Sequence, residues 1–440
     1  MGITRRQFLA GAALAGAATA TGGAAGAARN APQFAGMPNP AASGLDHIIF
    51  VCMENRSFDH YLGWLPGADG KQSGLSYSDD KEVRHPTHHL NIRQGCAFND
   101  PDHSYEGGRV QFAGGRLDGF RKGDNDDFAL GYYTESDLPF YAQLVKQATV
   151  HDRWFAPILG PTFPNRFYTH SAFTDRIEND SRFTALPTIW DKLARAGVPA
   201  NYFYSDIPFL ALWGEKYLPI SRPYADFLTM AASGTLPAFS YVDPTFLGEE
   251  QGGSNDDHPH ADIHRGQALL SQIATAVATS PAWSKTALII TYDEWGGFFD
   301  HVKPPRFPDD HDPGPGFDHS QAGFRVPAFT LSPFTRRGAV DHVVSDHTAA
   351  LKLVEWRYGL TPLTKRDATA RNLAQVFDFA HPATTAPTFT LVPDPGPHLC
   401  GTTPEGSTTS PLTVHQKSAH GDVFWADLRD LARRHGWSIG

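Results

Sequence analysis

Two stretches of this chain are apolar without interruption and then stop at acids. The first, Ile48 to Met53, runs into Glu54-Asn55, and the second, Ala287 to Tyr292, runs into Asp293-Glu294. Short continuous apolar runs suit strands buried on both faces, as in a parallel sheet. Further strands are predicted over 149–154, 200–204, 238–242 and 328–332, with a short one near Val343-Val344. Between them, helical periodicity predicts helices over 138–148, 186–196, 263–278, 348–358 and 423–435. One more helix starts at Pro164-Asn165-Arg166, with proline in its first turn. Strands alternating with helices place the chain in the α/β class. The region from 63 to about 138 is loop-rich. From about 382 to 411 the chain is rich in Thr, Pro and Gly, and reads as an extended segment wrapping the domain.

Acids at the carboxyl ends of buried strands stand where open α/β sheets place their ligand sites. Adjacent carboxylates with no base beside them repel unless a cation is present. Glu54, Asn55, Asp293 and Glu294, with the Thr162 hydroxyl, therefore form a candidate oxygen shell for one divalent ion. Such a shell favours calcium, magnesium or manganese, with zinc as the alternative. Thr162 lies just before a helix N-terminus, where unpaired amides favour an alkoxide or a bound phosphate. By position alone it is equally an ordinary N-cap. His103 is embedded in turn chemistry, and His258 precedes Pro259 and is held extended. His85, His88 and His89 read as solvated, and His347 as structural. Trp190, Tyr202, Tyr204, Phe209, Trp213 and Tyr224 read chiefly as core, although such rings can hold a quaternary ammonium.

Composition narrows the class. A hydrophobic content of 41% and an aromatic content of 12% describe a globular chain with a sizeable core. The formal charge of −10 argues against nucleic acid as the main partner. At the N-terminus, Arg5-Arg6 precedes an Ala/Gly-rich stretch with A-x-A patterns, so residues 1–28 read as a twin-arginine export signal rather than a membrane span. The expected organisation is this signal, a catalytic domain over 40–380, and a C-terminal wrapping segment with an amphipathic helix over 381–440. The expected location is secreted or at the cell envelope, with the twin-arginine translocation machinery as a partner. Three cysteines are too few for a disulfide scaffold. Cys52 reads as a core residue, and whether Cys96 and Cys400 pair is left open by the sequence.

The motifs Met53–Gly63, Gly160-Pro-Thr-Phe-Pro-Asn-Arg166, Asp257-His-Pro259, Tyr292–His301 and Asp346-His-Thr348 together resemble a bacterial and plant phosphoesterase family. That family holds nonspecific, phosphatidylcholine-preferring phospholipases C and a group of acid phosphatases. The resemblance spans residues 45 to about 360 and implies a three-layer, alkaline-phosphatase-like α/β/α sandwich with a mostly parallel central sheet. It implies Glu54, Asn55, Asp293 and Glu294 as metal ligands, Thr162 as nucleophile and further ligand, and His103, His258 and His301 near the phosphate. Asn165, Arg166 and Tyr204 are further candidates for substrate binding. Thr at 162 and Glu at 294 are similar to the phospholipase branch, since the phosphatases typically carry Ser and Asp there. The expected activity is a phospholipase C reaction through a phosphothreonine, with peripheral contact at a membrane surface. Alternatives are an acid phosphatase or broad phosphodiesterase on the same site, or a non-catalytic binder of phosphorylated ligands.

Overall fold

His47–Met53 lies inside an eight-stranded sheet, flanked on one side by Thr286–Tyr292 and on the other by Phe239–Val242. The computed structural model describes residues 36–311, 317–383, 385–401 and 421–439. The twin-arginine segment lies outside those residues. The strand order is Ala339–Asp341, Thr149–His151, Ala328–Leu331, Thr286–Tyr292, His47–Met53, Phe239–Val242, Ala200–Tyr204 and Ser221–Pro223. Ala328–Leu331 runs antiparallel to both neighbours, and every other pairing is parallel. The predicted α/β class with a mostly parallel sheet is therefore found.

The two long strands are apolar throughout because both faces are covered. All seven residues of Thr286–Tyr292 are buried, and six of seven in His47–Met53. The helix Ile263–Thr279 buries Leu270, Ile273 and Val277, and Thr348–Tyr358 buries Leu351, Leu353 and Val354, all in one continuous core. Each such aliphatic side chain contributes roughly 1.5–3 kcal/mol of burial.

Several boundaries differ from the periodicity: the helix expected over 138–148 is Tyr141–Gln147, and Val343-Val344 lies between the strands Ala339–Asp341 and Ser345–Asp346 rather than in one. The helix expected over 186–196 is Ile189–Arg195, because Thr188 and Asp191 form a capping box at its start. The helix expected from Pro164 begins earlier, at Thr162. The strand expected over 149–154 breaks at Asp152-Arg153. Its second half, Trp154–Phe155, pairs with Ser345–Asp346 in a separate ladder.

The C-terminal part is fastened to the loops above the sheet. Cys96 and Cys400 form a disulfide, and Gln94 Nε2 donates to His398 O at 2.6 Å. Farther on, the helix Gly421–Arg434 lays Phe424 and Trp425 against Phe163, at ring separations of 5.0 and 5.1 Å. Among the described residues no helix is long and apolar enough to cross a membrane.

Candidate active site

The register of the two long strands sets the site. Met53 stands opposite Tyr292, so Glu54-Asn55 and Asp293-Glu294 leave the sheet side by side. Asn55 then adopts φ 64°, in the left-handed region that asparagine tolerates better than most residues. Gly296 passes so closely that a Cβ there would lie 2.1 Å from Asn55 O. Asp293 Oδ1 accepts from Asn55 N at 3.2 Å and from Glu294 N at 2.7 Å, locking one strand tip to the other.

The Asn55 amide joins the parts. One end lies 3.2 Å from Asp293 Oδ1, 2.7 Å from Glu294 Oε1 and 3.5 Å from Thr162 Oγ1, and the other end lies 3.2 Å from His258 Nε2. With its nitrogen toward the acids, the amide donates to both carboxylates. With its oxygen inward, four oxygens face one another, which is favourable only when a cation stands among them. The first arrangement suits the protein alone, and the second suits a filled site. Glu54, Asn55, Asp293 and Glu294 are wholly buried, and both Glu54 carboxylate oxygens lack a hydrogen bond. These orphaned oxygens and the all-oxygen donor set fit a hard divalent ion.

Burial pushes the carboxyls up. Glu54 is held well above the usual carboxylate range by desolvation and then by the Asp293 charge. Asp293 rises to about 6, desolvation outweighing the Arg166 charge, and Glu294 to about 8, desolvation outweighing His103. One guanidinium serves three acids. Arg166 Nε lies 3.1 Å from Asp293 Oδ2 and 3.3 Å from Glu54 Oε1, and its Nη1 lies 2.7 Å from Asp243 Oδ1.

Thr162 opens the buried helix Thr162–Ser171, so it is the first helical residue rather than the N-cap, a place taken by Pro161. The loop that presents it is clamped by Asn165. Asn165 Oδ1 accepts from Ile158 N at 3.0 Å, and its Nδ2 donates to Gly160 O and Pro161 O at 2.7 and 3.0 Å. Asn165 thus holds the loop and Arg166 pairs with the acids, both wholly buried. Tyr204 donates to Ser438 O at 2.7 Å.

The three candidate histidines separate. His103 has Nδ1 2.8 Å from Pro101 O, which turns Nε2 toward Glu294 Oε1 at 3.7 Å. Although burial works against it, the Glu294 and Asp100 charges raise its pKa to about 9. His258 faces the Asn55 amide, and burial keeps it neutral, well below its ordinary value. Their rings are 6.0 Å apart. His301 stands in another network, with Nδ1 2.5 Å from Asp59 Oδ2 and Nε2 3.2 Å from Asp69 Oδ1, beside the Arg325–Asp300 pair. Its hydrogen bonds and ion pairs go to that network rather than to the strand tips.

Sequence reasoning missed Asp100, Glu249 and Glu250, which gather around His258. The signal was present in Glu249-Glu250, paired acids with no base between Gly248 and Gly252-Gly253.

Comparison with known proteins adds a family. The Phosphoesterase family model matches residues 45–361. Non-specific phospholipase C6 of Arabidopsis thaliana is 31% identical over 353 residues, covering 73% of this chain and 67% of the relative. Non-specific phospholipase C1 of the same plant is 33% identical over 392 residues, covering 77% and 72%. Phospholipase C B of Mycobacterium tuberculosis strain H37Rv is 32% identical over 463 residues, covering 87% of each chain. Among solved structures, the lipoteichoic acid synthase LtaP of Listeria monocytogenes is a distant likeness, with a TM-score of 0.39 at 7% identity over 79% of this chain and 78% of that one.

Proposed function

The chain belongs to the Phosphoesterase family, and from that premise we propose that it is an exported, metal-dependent phospholipase C. Its substrates are phosphatidylcholine-type phospholipids, cleaved to diacylglycerol and a phosphorylated head group. The observation that carries this reading is the meeting of Thr162 Oγ1, Asp293 Oδ1 and Glu294 Oε1 at one end of the Asn55 amide. The export part is supported by the N-terminal Arg5-Arg6 segment alone.

A divalent ion held by Glu54, Asn55, Asp293, Glu294 and Thr162 would supply Lewis-acid polarisation at the phosphoryl group and lower the pKa of a nearby hydroxyl. Thr162 Oγ1 attacks phosphorus, its proton passing to solvent, and forms a phosphothreonine as the bond from phosphorus to the glycerol oxygen breaks. His103, charged and at the more open edge of the site, gives its Nε2 proton to the departing glycerol oxygen. Water then gives one proton to the now neutral His103 Nε2 and attacks phosphorus, the bond to Thr162 Oγ1 breaks with that oxygen taking a proton from solvent, and the phosphorylated head group leaves. With its oxygen turned inward, the Asn55 amide has its other end 3.2 Å from His258 Nε2, while Arg166 holds Asp293 and Glu54 in place. Such fixed groups lower the barrier because they need no rearrangement as charge develops.

Product analysis tests the reading. Phosphatidylcholine should yield diacylglycerol and phosphocholine, and exchange of metals should change the rate. Preference for p-nitrophenyl phosphate with no diacylglycerol released would make the protein a phosphomonoesterase instead. Export is tested by the location of the full chain in a bacterial host with and without a working twin-arginine translocase.

A further inference from the structure

We propose that Trp425 is a positioning residue of the candidate active site, holding Glu249 against the ligand Glu54 through its indole N–H and bracing the Thr162 turn with its ring. The proposal deepens the proposed function and rests on its metal-dependent reading. Arg166 Nε, 3.3 Å from Glu54 Oε1, balances the Glu54 charge without a hydrogen bond. The direction of the Glu54 carboxylate is left to its other neighbours. Glu249 is one of them, with an oxygen within 4.8 Å of a Glu54 oxygen. Facing carboxyl oxygens in a dry space share a proton or a cation, and either way the orientation of one group constrains the other.

Trp425 fixes Glu249 in turn. Its Nε1 donates to Glu249 Oε2 at 2.8 Å, and both side chains are wholly buried. Glu249 Oε1, which has no hydrogen bond, is then the oxygen left to meet Glu54. The loop that carries Glu249 is held separately. The Asp206 carboxylate accepts from Phe246 N at 3.0 Å and from Leu247 N at 2.8 Å. The indole is anchored by stacking. Its ring lies 4.0 Å from that of Phe246, nearly parallel at 6°, and the Arg166 guanidinium lies over the same Phe246 ring at 4.6 Å. It also meets the ring of Phe163, the residue after Thr162, edge-on at 5.1 Å.

One side chain therefore touches the partner of a metal ligand, the ring under the guanidinium that serves three acids, and the neighbour of the nucleophile. Stacking alone needs only an aromatic ring, and Phe would supply it. The N–H aimed at an acid beside a ligand is what makes Trp425 specific to the site. Trp437 of the same C-terminal segment offers the contrast, since its Nε1 donates at 3.1 Å to a backbone carbonyl, that of Gly214. Removing an outer partner of a metal ligand typically weakens metal binding about 10–100-fold.

The test is metal affinity, read independently of activity by calorimetric titration of the EDTA-stripped full chain with manganese chloride. Trp425→Phe keeps a ring and removes the N–H, and should weaken binding about 10–100-fold. Trp437→Phe removes an indole hydrogen bond to a carbonyl and should bind as wild type. Glu249→Ala should weaken binding as Trp425→Phe does, and adding Trp425→Phe to it should change nothing more, because Trp425 acts through Glu249. If Trp425→Phe fails to fold, Glu249→Ala decides. Wild-type affinity in Trp425→Phe or in Glu249→Ala overturns this proposal and leaves the proposed function standing. So does an equal loss in Trp437→Phe, or a full further loss in the double variant. No manganese bound by wild type overturns both.

Discussion

Arg166 Nε lies 3.1 Å from Asp293 Oδ2, and both side chains are wholly buried. The pair fixes how a helix meets a strand tip, because Arg166 is one turn beyond Thr162 and Asp293 ends the strand beside Glu54. The same guanidinium reaches Glu54 and Asp243. Replacing it with Gln leaves three buried acids short of a counter-charge. Breaking a buried pair in this way costs about 3–5 kcal/mol. Arg166→Gln is therefore expected to lower the denaturation midpoint sharply, with Arg166→Lys intermediate. Urea melts check this, and an unchanged midpoint would show that the acids carry protons rather than charge.

Thr162→Ala is expected to reduce phospholipid hydrolysis at least about 1,000-fold, since removing a nucleophile removes the covalent route. The fold should remain, because Thr162 Oγ1 makes only the long contact to Asn55. Thr162→Ser should keep a measurable part of the rate. Mass spectrometry of the denatured, substrate-quenched protein should show added phosphate on wild type and none on Thr162→Ala.

Chelation should destabilise the protein. Glu54, Asp293 and Glu294 are buried together, and a cation bound only by the folded state adds about 2.7 kcal/mol at a concentration 100 times its dissociation constant. The melting temperature is expected to fall on adding EDTA and to recover on returning the metal. Asp293→Asn should blunt the response.

The Cys96–Cys400 disulfide joins residues 304 positions apart and pins the C-terminal strap to the loop before the His103 turn. A crosslink over so long a loop restricts the unfolded chain, and its removal typically costs about 2–4 kcal/mol. Cys400→Ser should lower the melting temperature, and reductant should lower that of wild type but not of the variant.

Asp341 supplies a pH effect away from the site. Burial alone would raise its pKa, but hydrogen bonds from His151 and Arg371 hold it at about 2. Its folded value is below its unfolded one, so the unfolded chain binds more protons between the two. The resulting stability, about 2 kcal/mol, is present above pH 4 and is lost as pH falls toward 2. Asp341→Asn should flatten that part of the stability curve measured by denaturant melts.

Much of the site was legible because its residues end apolar runs. The Ile48–Met53 and Ala287–Tyr292 runs announce buried strands, and the acids after them announce a ligand position whatever the fold around them. The Thr162 loop was legible from its glycine and prolines. That Asn165 clamps this loop and Arg166 pairs with the strand-tip acids was not legible, because a polar residue beside a nucleophile looks the same in sequence whatever it faces. His301 shares a motif with Asp293, yet the turn at Gly296-Gly297 carries it to Asp59 and Asp69.

The sequence by itself determined the α/β class, the strand tips and the chemical types gathered there, because burial period and residue chemistry are local properties. The tertiary structure alone decided which acids meet. The one-to-one register of Met53 with Tyr292 places Asn55 against Asp293. The loop over 249–260 brings Glu249 and His258 to Asp100, and a C-terminal tryptophan orients Glu249 from 176 residues away. These contacts depend on pairing between distant segments, which no local pattern encodes.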